Sequence, residues 1–371
     1  MPTPEQEFVR LHVQPFHGRD DTPASAAWIP CLEIPLHRLS EFSLKPYRWL
    51  CYAGYCIMGA EGSLSFDPDS TEFDYDAPLR PCDLYYHAHG PIFPIDPDLE
   101  NASKTSYSTG LSDSSPLKTL ILERDESCVA TNIDASYCRA AHLIVQSQGS
   151  QYIRMYTEGR SGGKDEDVID DIDDPRNGLL VNVLLHGVLG QRAAILPTPN
   201  FIMKTTHVVD TETTPDAPRW TLHFFVEPNT PGTPYEAIPP GGALRVPPDG
   251  ERDTWPPQCL FAAVYASALL TTWPAKDFLK QVRSYWSSSF YPGAEQSREE
   301  AAERKARVYS EKRARRDGEM DTFDMLLIVS QARARKALAA MDRDPVSQQE
   351  SAQKANDDAR GKVLPWLQGI D

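Results

Sequence analysis

Three polar residues stand in an order and a setting that could support hydrolytic chemistry. His142 lies in the strand-like segment that ends CVATNIDASYCRAAHLIV, Asn177 precedes Gly178, and His186 lies in NGLLVNVLLHGVLG, nine residues beyond Asn177. A neutral imidazole near its ordinary pKa of about 6.5 can take a proton from water. An amide oxygen can fix the imidazole's tautomer by accepting from its other N–H. A second imidazole can ligate a divalent ion. Between His142 and Asn177 runs an acidic loop with seven carboxylates: Asp165, Glu166, Asp167, Asp170, Asp171, Asp173 and Asp174.

Ala-Ala-His, a loop, Asn-Gly, a small apolar run and Leu-His together resemble the HNH nuclease family, whose fold is two strands and a helix clasping one metal ion. The pattern is close to the branch of that family found in many fungal proteins, and it covers residues 122–200. The resemblance implies a metal-dependent DNA endonuclease. In it His142 is the general base, Asn177 orients the imidazole, and His186 is a metal ligand on a facing helix. The implied cofactor is magnesium or manganese, with zinc as the alternative, and the implied partner is DNA. Ala141 stands where many members carry an acid or a second histidine. Gly190 stands one turn after His186, where many carry Asp or His. One imidazole holds a hard cation poorly, so oxygen donors must join it. Asp173 and Asp174, nearest to Asn177, are the expected ones, with Asp170 and Asp171 behind them. Gly178 is expected to permit a tight turn beside Asn177. The alternative reading is an HNH fold that lost its metal ligands and serves as a binding or scaffold protein.

Other residues carry weaker chemistry. Cys128 and Cys138 frame a hairpin before His142, but a C-x9-C spacing with no second pair points to packing rather than zinc. All seven cysteines read as small buried hydrophobes in a reduced setting. His87 and His89 could share one side of a strand, with nothing to complete a metal site. The chain has no glycine-rich nucleotide loop and no Gly-x-Ser-x-Gly elbow, so no nucleotide cofactor is expected.

These residues need elements to position them. The expected class is α+β: a β-rich N-terminal region (1–97), a linker (98–115), an HNH module (116–226), a Pro/Gly-rich linker (227–256), a helical region (257–345) and a polar tail (346–371). In the N-terminal region FVRLHVQPF, the dense run YRWLCYAGYCIMG and CDLYYHAHGPIF read as the structured pieces. Residues 138–145 are expected as a strand and 179–189 as a helix. MKTTHVVDTET and RWTLHFFVE are expected as two paired strands, and CLFAAVYASALLTTW as a helix inside the core. The chain has 371 residues and 32 prolines, well above the typical ~5%, so many connections are rigid turns. No apolar run is long enough for a membrane span, and the N-terminus lacks a secretory apolar core. An intracellular site, nucleus or cytoplasm, is the expectation.

The net charge of −16 excludes a protein that coats nucleic acid through bulk charge. Positive charge must be presented locally, and the densest source is RKARVYSEKRARR at 304–316. Lys312, Arg313, Arg315 and Arg316 are the expected phosphate contacts. If so, changing all four to Glu weakens binding to every DNA sequence alike. The slope of log affinity against log salt then flattens by about 0.9 for each phosphate no longer neutralised. Parent-like affinity and slope in the quadruple variant would make the stretch a solvated helix face.

Overall fold

The computed structural model describes residues 7–16, 27–97, 99, 116–208, 216–225, 241–247 and 253–290. All of these belong to one compact unit built from residues 1–228 and 233–292. The expected basic helix at 304–316 and its four phosphate contacts lie outside the described residues. Among the described residues no helix is long and apolar enough to cross a membrane.

The N-terminal region forms a four-stranded sheet in the order β2-β1-β4-β3. Its strands are β1 (Phe8–Val13), β2 (Ile29–Pro35), β3 (Gly62–Ser65) and β4 (Cys82–Ala88). β1 runs antiparallel to β2 and parallel to β4, while β3 and β4 are antiparallel. Alternation sets the faces: Val9, Leu11 and Val13 are fully buried, whereas Arg10 between them is exposed.

The dense run YRWLCYAGYCIMG is not a strand but helix α1 (Pro46–Met58). Pro46 sits in its first turn, where no intrahelical N–H is needed. Gly59, at φ 75°, ends it in the left-handed conformation. The run reads as apolar all round because the helix is covered on nearly every side, so its period is hidden. Gly54 is required by contact with the sheet: a Cβ there would lie 2.4 Å from the Tyr86 ring.

The central module opens with α2 (Pro116–Asp125), followed by β5 (Cys138–His142), α3 (Ser150–Arg160), β6 (Gly178–Asn182) and a single-turn helix α4 (Val183–His186). β5 and β6 pair antiparallel from Cys138↔Asn182 to His142↔Gly178. Two expectations are corrected here. The strand at 138–145 stops at His142, and the first part of the expected helix at 179–189 is a strand. Residues 178–182 are buried throughout, and a run apolar on both faces cannot declare its own period. The switch to helix occurs at Asn182, whose side chain accepts from the Leu185 N–H at 2.8 Å.

β7 (Ala193–Thr198) pairs antiparallel with β8 (Arg219–Phe224). This corrects the expected pairing of RWTLHFFVE with MKTTHVVDTET, in which Thr205–His207 form one 3-10 turn and residues 209–213 lie outside the described residues. Two helices close the unit, α5 (Gln258–Thr272) and α6 (Phe278–Ser289). α5 lies in the core as expected, with Cys259 through Leu270 buried without a break. A buried polar chain ties it to its neighbours: Trp49 Nε1 donates to the Tyr265 hydroxyl at 2.6 Å, which bonds His223 Nδ1 at 2.7 Å. Burial pushes the His223 imidazole down to about 3, so it stays neutral.

Arg160, at the end of α3, is buried and donates to the carbonyls of Cys56, Ile57 and Phe93 at 2.8–3.0 Å. Two of these are among the last carbonyls of α1, which have no intrahelical partner. The guanidinium also lies 5.1 Å from the Tyr156 ring centre. One side chain from the central module thus caps the principal helix of the N-terminal region. Ile57 O also accepts from the Ile95 N–H at 2.7 Å, so Arg160→Ala strands two buried acceptors, Cys56 O and Phe93 O, and should cost about 2–5 kcal/mol, read as a lower denaturant midpoint. An unchanged midpoint would show that water satisfies those carbonyls.

Candidate active site

His142 is the last residue of β5, and its side chain is 7% exposed. Its Nε2 lies 3.1 Å from Asp173 Oδ1. A carboxylate only accepts, so Nε2 carries the hydrogen and Nδ1 keeps the lone pair. Asp173 is itself held by the Gln146 amide at 3.2 Å, and its backbone N–H donates to Asp171 Oδ1 at 3.0 Å. Burial pushes the His142 imidazole below its ordinary value, while the Asp173 contact pulls it upward. Its neutral, proton-accepting form therefore prevails at neutral pH.

Asn177 takes no part in orienting that ring. It is fully buried, its Oδ1 accepts from the Ile144 N–H at 2.8 Å, and its Nδ2 donates to Ile144 O at 2.8 Å and Ile172 O at 2.9 Å. The amide's bonds go to backbone, and the orienting position beside His142 is held by Asp173. Asn177 instead clamps the segment leaving β5 to the acidic loop, so that Asp173 reaches His142. Behind it, Arg124 donates to the carbonyls of Pro175 and Gly178, and Asp125 accepts from the Leu180 N–H at 2.8 Å. Gly178 is extended rather than tightly turned, with φ −152°. A Cβ at Gly178 would lie 2.3 Å from the terminal methyl of Ile121 on α2, so a larger residue there requires that side chain to move. Asp174 caps the 3-10 turn at Pro175–Asn177 and pairs with Arg176 at 2.8 Å.

His186 ends α4. It shares a cavity of about 40 Å³ with His142, lined also by Ala141, Leu189, Gly190 and Ser267. Its imidazole is likewise pushed below the ordinary value, by burial first and then by Arg139 and His142 nearby. Gly190 brings no donor to this cavity. Among the described residues no group of three or more His, Cys, Asp and Glu side chains is placed to hold a metal ion. The donors present do not fit a hard divalent ion, which needs several oxygens around it.

The weaker candidates are spent on structure. Cys138 Sγ donates to Asp134 O at 3.3 Å, and its thiol is pushed up to about 11, mainly by burial. Cys128 Sγ accepts from the Asn182 N–H at 3.2 Å. His87 and His89 bond the hydroxyls of Ser65 and Ser63 at 2.8 and 3.0 Å.

A strand ending in a histidine, a second strand behind a buried asparagine, and a short helix ending in a second histidine are now in place. Residues 128–195 match the HNH endonuclease family. The matched HNH domain contains β5, α3, β6, α4 and the start of β7. No curated protein and no solved structure matches the chain. The match is to the family and does not single out a fungal branch.

Sequence reasoning missed Ser267, which enters the cavity from an apolar helix well beyond the HNH domain and carries no local signal. It also missed Gln146 as the second hold on Asp173. Because Asp173 is the influence that raises the His142 pKa, Asp173→Asn should move the His142 midpoint further down. Titration of the ring nitrogens by NMR checks this. An unmoved midpoint would show that the contact does not form in solution.

Proposed function

We propose that this protein is a nuclease that hydrolyses DNA phosphodiester bonds, with His142 as the general base. The observation that carries the reading is the contact of His142 with Asp173 inside an HNH domain. The carboxylate holds Nε2–H, which leaves Nδ1 free to take a proton, and burial keeps the ring neutral. In the reaction a water oxygen bonds to phosphorus, its proton passes to His142, and the bond from phosphorus to the leaving oxygen breaks. Arg139, whose charge already lowers the His186 pKa, would meet the substrate's negative charge, and the neutral His186 ring would donate an N–H to it. Lys312, Arg313, Arg315 and Arg316 would hold the flanking phosphates. The place of action is wherever the chain meets DNA, nucleus or cytoplasm.

HNH domains generally use a divalent ion; the resemblance gives His186 as a ligand, and Asp173 and Asp174 are the oxygen donors expected from their nearness to Asn177. Asp173 and Asp174 are engaged by His142 and Arg176, and Gly190 adds nothing. That same shortage of donors favours a second reading, an HNH fold retained for binding after the loss of its ligands.

Nicking of supercoiled plasmid separates the two. His142→Ala should reduce the parent's rate by about 10²–10⁴-fold while leaving the thermal midpoint and DNA affinity near those of the parent. Equal rates in parent and variant would place the chemistry elsewhere. A parent inactive with magnesium, manganese and zinc alike would establish the binding reading, and inhibition by EDTA would show that an ion is recruited after all.

A further inference from the structure

Helix α5 lies outside the HNH match, yet it supplies Ala263, Val264 and Ser267 to the wall of the cavity between His142 and His186. Ser267 is 6% exposed, and its hydroxyl is fully buried with no hydrogen-bond partner among the described residues. Its neighbours show that this is not a general habit of the helix. Thr271 and Thr272 each turn their hydroxyls back onto the carbonyl four residues earlier, at 2.8 and 2.9 Å. Ser267 makes no such bond and faces the cavity.

A buried hydroxyl left unbonded is costly, and the cavity offers what would satisfy it. A volume of about 40 Å³ exceeds the ~10–15 Å³ a water molecule requires, and a buried water needs two to four polar partners. The Ser267 hydroxyl and the two imidazoles supply three. We infer that Ser267 is a positioning residue, which holds a water between His142 and His186. α5 thereby places a hydroxyl in the cavity that Gly190 also lines without offering a donor. The water site stands on the cavity alone; its consequence, that this water is the one His142 deprotonates, rests on the nuclease reading.

The test compares the full-length parent with Ser267→Ala and Ser267→Thr at one fixed pH, by long-range ¹H–¹⁵N spectra of the histidine rings and by plasmid nicking. Ser267→Ala should shift the ring-nitrogen signals of both His142 and His186. It should also slow nicking by up to about tenfold, the worth of one hydrogen bond. Ser267→Thr, which keeps the hydroxyl, should restore the signals and the rate. Ring signals in Ser267→Ala that match the parent would overturn the inference, whatever the rate, because the hydroxyl would then influence neither imidazole. A parent that does not nick DNA defeats the nuclease reading, while the ring signals still decide whether Ser267 holds the water.

Discussion

The buried amide of Asn177 holds the candidate site together. Three hydrogen bonds from one side chain join Ile144, just past β5, to Ile172 in the acidic loop. In an interior without water each of these backbone groups would otherwise go unpaired. The clamp leaves Asp173, one residue beyond Ile172, opposite His142. The course of the acidic loop beside the end of β5, and with it the contact of Asp173 with the imidazole, depends on this clamp.

A second set of buried polar contacts makes the HNH domain part of a larger body. Arg160 reaches from α3 to the end of α1, and Tyr265 of α5 receives Trp49 from α1 and bonds His223 from β8. Such groups are tolerated in a core only when their bonds are made, so they fix how the elements meet as well as that they meet. The N-terminal sheet and α5 are therefore packed around the domain, and α5 forms one wall of its cleft.

The candidate cleft lies in a chain of net charge −16. Its two imidazoles are both held neutral, burial being the first cause in each. The positive charge that lowers His186 further comes from Arg139, on the same strand that carries His142. The nearest carboxylate is engaged with a ring nitrogen. This arrangement suits proton abstraction better than cation binding.

How much of this was legible in the residues depends on range. The order His142, Asn177, His186 and its apolar surroundings identified the HNH module without any structure, because spacing within a short motif is local. Alternation in FVRLHV marked β1, and the apolar run at 259–270 marked the core helix. Local pattern failed where burial is two-sided: in Tyr47–Met58 every residue except Arg48 and Tyr55 is buried, and Leu179–Val181 is buried throughout, so apolar residues stand at helix and strand periods alike. It failed again for roles. The types of Asn177 and Asp173 allow either to orient an imidazole, and only the fold shows that the amide is consumed by backbone while the carboxylate reaches the ring. Ser267 lies 81 residues beyond His186, in a stretch whose composition says only that it is buried. The sequence determined which groups could act, since chemistry resides in side chains; tertiary structure decided which of them meet, since that depends on contacts the chain makes with its own distant parts.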